Sequence, residues 1–315
     1  MIRTAAICSL LCAAVPLDAA ADTDFYLVSN HVGGVLMCRD LPTVMCNPLP
    51  TGVPDCFLPF PCPTPDSNIF TRFDLDGNRA MLHMSPVVAV TGGTGEVICT
   101  GTLISNNFVL TAAHCTCPSR VFGANPTNVI YGQSISEAIV KFTILNRFTF
   151  EEDFCNTGTP SDGKDIPDIG ILEIKNEADL PDFVLGPLSF ETWTNGSPGI
   201  ISGFGYDNVT NDFGDKKFDI FDQLFNCENI SGDFDCIGSQ IVHIVDSGSS
   251  EGTCRGDSGA PLFDLSGAVR GVVARGFNDS SEYTCGQGDI IWPLGSLSLN
   301  SEGQTFQQWL DERMR

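Results

Sequence analysis

The segment CRGDSGAPLF sets one serine, Ser258, in a turn with glycines at 256 and 259. Glycine lets a backbone approach a substrate closely and adopt turns closed to other residues. In such a turn the amide N–H groups of Gly256 and Ser258 can converge on one oxygen, which stabilises the anion formed when a nucleophile attacks a carbonyl. A serine hydroxyl attacks only once a base takes its proton. Histidine titrates near neutrality, and the chain offers His31, His83, His114 and His243. His31 lies in a Cys-rich segment and His83 in a connecting one, while His243 alternates with Ile241 and Val245 as an ordinary strand residue does. His114, in LTAAHC, lies between a hydrophobic run and Cys115 and is the candidate base. This chemistry calls for no cofactor and no metal. The chain has no CxxC pair for zinc, and the acidic string DLDGN at Asp74 lacks the glycine spacing and closing glutamate of a calcium loop.

The elements that must position these groups are short. From Pro86 onward the chain reads as VVAVT, EVICTGTLI, FVLTAA, AIVKFTIL, IGILEIK, GIISGFG, QIVHIV, APLFDL and AVRGVVARGF, punctuated by Gly, Pro, Asn and Asp. That pattern predicts an all-β sandwich or barrel. The final stretch, TFQQWLDERMR, places Phe306, Trp309 and Leu310 at helical spacing and predicts one helix docked on the β body. Residues 22–72 carry Cys38, Cys46, Cys56 and Cys62 among many prolines, without the periodicity of a helix or strand. They read as a small disulfide-tied accessory module or a propeptide, with a carbohydrate- or matrix-binding role as one reading.

The strings CTGTLISNNFVLTAAHC, DIGILEIK, ISGFG and CRGDSGAPLF, spread over most of residues 86–315, resemble the signature segments of the trypsin-like serine protease family, in wording also similar to bacterial-type members. The resemblance implies two six-stranded antiparallel β-barrels packed together with a short C-terminal helix, over residues 73–315. It implies His114 as general base and acid, Asp168 as its buried orienter, and Ser258 as nucleophile, with Gly256 and Ser258 forming the oxyanion hole. Asp168 is preferred to Asp165 because the apolar alternation IGILEI follows it directly. Asp257 would pair with a newly cut N-terminus in members activated by cleavage. The family's bridges fall on Cys99 with Cys115, Cys254 with Cys285, and Cys227 with Cys236; elimination leaves Cys117 with Cys155.

The resemblance also places the substrate pocket. Its floor falls on Gly252 and its walls on Thr253, Gly276 and Gly288, with Arg255 and Arg275 at the rim. Lacking a carboxylate at Gly252, the pocket is expected to favour an uncharged, apolar or aromatic side chain before the scissile bond, since burial of apolar area is favourable. The two rim arginines could instead attract an acidic side chain, but Val273 stands where glutamate-specific relatives carry histidine. Ala274 replaces the serine that usually bonds the catalytic aspartate, and Arg275 replaces a tryptophan. Those two changes are the support for a second reading, a catalytically impaired homologue acting as a binding or regulatory protein. No IVGG-like string marks the mature N-terminus expected near residue 73 or 74; cleavage after Arg72 fits, whereas cleavage after Arg79 leaves too little chain to reach Asp257.

The ends and the composition set the address. Residues 1–21 place Arg3 before an apolar run and small residues at Ala19 and Ala21, the layout of a cleaved signal peptide. The run from Ala5 to Leu17 is shorter than the roughly 20 residues of a spanning helix. Cys12 follows a bulky Leu11, unlike a lipidation site. Fourteen cysteines suit an oxidising compartment, extracellular or periplasmic, and twelve remain after the leader. The formal net charge of -23 repels nucleic acid and anionic membranes. The expected partners are protein or peptide substrates and a proteinaceous inhibitor, and the expected state is a monomer.

Overall fold

The computed structural model describes residues 86–315 except 119–123, 158–165, 176–184, 207–211, 230–235, 237–239, 245–252, 265–266, 277–284 and 286–287, together with two strands nearer the N-terminus. Those strands, β1 (Phe25–Ser29) and β2 (Val35–Arg39), pair antiparallel with Phe25 opposite Arg39. This corrects the expectation that residues 22–72 hold no regular strand. Both strands are mainly apolar, and the prolines of the segment begin only at Pro42, beyond the pair. Residues 1–21, the rest of the Cys-rich segment and Gly252 lie outside the described residues.

The first barrel contains β3 (Val87–Thr91), β4 (Val97–Leu103), β5 (Phe108–Thr111), β6 (Asn128–Gly132), β7 (Ala138–Thr149) and β8 (Gly170–Lys175). It closes in the order β3-β4-β5-β8-β7-β6, every pair antiparallel. The second contains β9 (Ser197–Gly203), β10 (Lys217–Asn226), β11 (Ile241–Ile244), β12 (Pro261–Phe263), β13 (Val269–Gly276) and β14 (Gly288–Pro293), closed as β10-β11-β14-β13-β12-β9. Closure removes free sheet edges and gives each barrel its own apolar lumen. Ile201, Leu224, Ile241, Leu262, Val273 and Ile291 fill the second.

The terminal helix, α3 (Phe306–Arg313), begins with a reciprocal cap in which Thr305 and Gln308 satisfy each other's backbone N–H groups. Its buried Phe306 and Trp309 each meet the ring of Phe150 edge-on at 5.6 Å. Two short helices, α1 (Ala113–Thr116) and α2 (Phe154–Thr157), complete the described regular structure that bears on the site.

Candidate active site

The candidate site lies where the barrels meet. His114 belongs to α1, a single turn too short to be stable alone. Disulfides hold it on both sides: Cys115 is bridged to Cys99 on β4, and Cys117 to Cys155 on α2. Asp168 precedes β8, two residues before its first strand residue, and its side chain is 5% exposed against 26% for His114. Its carboxylate takes two donors from one residue. Oδ1 accepts the His114 backbone N–H at 2.8 Å, and Oδ2 lies 2.6 Å from Nδ1. The first bond satisfies one of the open amides at the helix N-terminus. The second holds the ring with Nδ1 toward the acid and Nε2 away from it. Asp165 lies outside the described residues.

Ser258 comes from the second barrel, in the turn between Cys254 and β12. Its hydroxyl donates to Ala274 O at 3.2 Å, and Cys115 Sγ lies 3.5 Å from both Ser258 O and His114 Nε2. Ala274 sits at a break in the β13–β14 register, so its carbonyl is released from the ladder. No side chain at Ala274 reaches Asp168, whose hydrogen bonds among the described residues are the two from His114.

The turn around Ser258 has a defined set of amide directions. Asp257 N–H bonds Cys254 O and Gly259 N–H bonds Val273 O, whereas Gly256 N–H and Ser258 N–H donate to no described residue. Gly256 and Gly259 take φ values of 98° and 86°, which disfavour any side chain. A Cβ on Gly259 would also strike Thr111 Oγ1 and the Thr100 carbonyl, so the turn can press against β4 and β5 only as glycine. Two open amides beside a serine hydroxyl can together receive one negatively charged oxygen.

Sequence reasoning did not single out Thr100. It is fully buried on β4, its Oγ1 donates to Gly256 O at 2.9 Å and accepts Phe204 N–H at 3.0 Å, and its N–H bonds Ser258 O at 2.9 Å. Two of these hydrogen bonds, to Gly256 O and Ser258 O, thus fix the Ser258 turn to the first barrel, and the third ties in Phe204 beside it. The only sequence signal was a polar residue inside the apolar string ICTGTL. Asp257 is 1% exposed, accepting Gly205 N–H and Cys254 N–H at 2.8 Å each.

Of the residues expected to line a substrate pocket, Thr253 is buried and Arg255, Arg275 and Gly276 are half-buried. The remaining bridges join Cys254 to Cys285 and, at the end of β10, Cys227 to Cys236. Cys99, His114 and Cys115 cluster closely enough to hold a metal ion, but both sulfurs are committed to one disulfide and the donor set does not fit one.

Two closed antiparallel barrels with histidine and aspartate from one and serine from the other define the class of chymotrypsin-fold proteins. A family model for trypsin matches residues 75–288, and the chain belongs to the trypsin family. It is 28% identical over 228 residues to mouse kallikrein-1, covering 69% of this chain and 80% of that protein. To mouse kallikrein 1-related peptidase b3 it is 27% identical over 275 residues, covering 80% and 92%. Among solved structures, mouse neuropsin, a serine protease, superposes with a TM-score of 0.54 at 20% identity over 75% of this chain and 97% of that one. Human heparin binding protein gives 0.55 at 20% identity over 75% and 94%.

Proposed function

We propose that the protein is a secreted serine endopeptidase that cleaves peptide bonds through an acyl-enzyme, with Ser258 as nucleophile, His114 as base and acid, and Asp168 as orienter. The observation that carries this reading is the doubly bonded Asp168–His114 pair, whose Nε2 shares a neighbour, Cys115 Sγ, with Ser258, a serine whose own and second-preceding amides are open. Rotation of Ser258 χ1 away from Ala274 O turns the hydroxyl to His114 Nε2. The proton passes to Nε2 as Oγ bonds to the substrate carbonyl carbon, and the carbonyl oxygen, now negative, receives the Gly256 and Ser258 N–H groups. The imidazolium, held by Asp168, then protonates the leaving amine as the C–N bond breaks. Water attacks the ester by the same path in reverse, freeing the acid and restoring Ser258.

Secretion is supported by the leader-like residues 1–21 and by the four disulfides among the described residues. Activation by cleavage near residue 73 is part of the same reading. A fluorophosphonate probe labels Ser258 in the purified protein, and Ser258→Ala abolishes both labelling and peptide hydrolysis, the latter by about six decades. Absence of label on a folded wild-type protein refutes the proposal and favours the non-catalytic reading raised by Ala274 and Arg275.

A further inference from the structure

The four disulfides among the described residues differ in how they meet solvent. Cys99 and Cys115 are fully buried, Cys117 is fully buried against a half-buried Cys155, and Cys254 and Cys285 are each 7% exposed. In the Cys227–Cys236 bridge both residues are half-buried. A thiol opens a disulfide by attacking one of its sulfurs, so access sets which bridge exchanges first. This bridge also spans the shortest stretch of chain, a sequence separation of 9 against 16, 31 and 38. Because the stability a bridge adds grows with the loop it closes, this one contributes least, and the barrels can outlast its loss.

Its place in the second barrel gives its opening a consequence. Cys227 follows the last residue of β10, and its N–H bonds Gln240 O at 2.8 Å, one residue before β11. Among the described residues β10 and β11 are joined by two residue pairs, Phe225 with Val242 and Asn226 with Ile241, whereas β10 and β9 share six. The bridge therefore clasps a thin closure of the barrel. Both cysteines also pack on Val242 and Ile290, covering that buried pair. Ile290 stands beside Asp289, whose Oδ1 accepts the Thr253 N–H, and Thr253 leads through Cys254 into the Ser258 turn. The Ser258 turn itself is held from the first barrel by Thr100. Opening the bridge loosens the side of the barrel expected to receive substrate and leaves the serine in place.

We propose that the Cys227–Cys236 bridge is a redox switch on substrate binding: a small thiol opens it in the folded protein, which then, granted the protease reading above, holds substrate less tightly. One thiolate attacks a bridge sulfur, the S–S bond breaks, and the released cysteine takes a proton. A second thiol displaces the first from the mixed disulfide, so two cysteine thiols form while the small thiol leaves as its own disulfide. That small disulfide, in excess, reverses the step.

The test titrates the folded full chain with reduced glutathione, traps opened cysteines with N-ethylmaleimide and maps them by mass spectrometry. Cys227 and Cys236 are expected to be trapped at least about tenfold faster than the other described bridge cysteines. KM for a fluorogenic peptide should rise about fivefold or more, the low end of coupling between distinct sites, with kcat held within about twofold. Oxidised glutathione should restore the starting KM. A chain carrying both Cys227→Ala and Cys236→Ala should start at the raised KM and ignore the thiol, which separates this bridge from cysteines elsewhere in the chain. Earlier opening of another described bridge, unfolding seen by circular dichroism as this one opens, or an unchanged KM in the opened protein overturns the switch while Ser258 labelling still upholds the protease. Absence of fluorophosphonate label on the oxidised protein overturns the protease reading and with it the effect on substrate, and the trapping order still decides which bridge opens first.

Discussion

Replacing Thr100 by valine keeps the shape of a fully buried β-branched side chain and deletes its oxygen. In the structure that oxygen serves Gly256 O at 2.9 Å and Phe204 N–H at 3.0 Å. Both partners are then stranded in the seam between the barrels, at about 1 to 3 kcal/mol each, so Thr100→Val should cost about 3 to 4 kcal/mol. For a domain of this size that lowers the melting temperature by about 6 to 16 °C. Activity should fall further than stability requires. Gly256 loses the anchor on its carbonyl, and the aim of its amide loosens; full loss of one oxyanion donor costs about 100- to 1,000-fold in kcat, so a partial loss should reach about tenfold or more, with KM little changed. Urea unfolding with disulfides intact and steady-state hydrolysis at a temperature well below the transition separate the two effects. Thr100→Ser, which restores the oxygen, should recover most of both. A valine variant within 1 kcal/mol of wild type and with unchanged kcat would refute the claim that this hydroxyl holds the turn.

Asp168→Asn must mismatch one of the two donors His114 presents, because an amide offers a single oxygen where the carboxylate offers two. The expected loss is about 10,000-fold in kcat with a small change in melting temperature, and a loss below tenfold contradicts the orienting role. Lys216 is fully buried with Nζ 5.2 Å from the Tyr131 ring centre and 5.5 Å from that of Phe204, and desolvation brings its pKa down from 10.5 to about 7. Between those pH values the unfolded chain holds the extra proton, so folding stability rises with pH. The unfolding free energy of wild type minus that of Lys216→Met should therefore climb from pH 7 to 10 and be level below pH 7; a falling difference contradicts this burial.

Most of the barrel framework is legible in the sequence because its strands carry their own signal. VVAVT, GILEIK and PLF become β3, β8 and β12, and Phe306, Trp309 and Leu310 become the buried face of the last helix. Three barrel strands are not among the runs read from sequence. In β10 the acidic Asp219 and Asp222 interrupt the apolar residues, β6 offers only the apolar triplet Val129–Tyr131 between Asn128 and Gly132, and β14 carries the charge of Asp289. His114, Asp168 and Ser258 stand in local strings that announce them. Thr100 and Asp289 do not, because what makes them matter is distant in the chain: Thr100 meets Gly256 across 156 residues, and Asp289 meets Thr253 across 36. Local pattern records the face a strand buries, and it leaves out which far segment closes over that face.

The three hydrogen bonds from Thr100 to the nucleophile turn and the Gly203–Phe204 segment beside it have a consequence for the life of the chain before it is finished. With His114 and Asp168 on one barrel and Ser258 on the other, the constellation exists only in the closed molecule. On the proposed protease reading, hydrolytic competence arrives only when the two halves close, so a partly folded copy cannot cleave its neighbours. The seam is then an assembly checkpoint, because it alone brings the three side chains together.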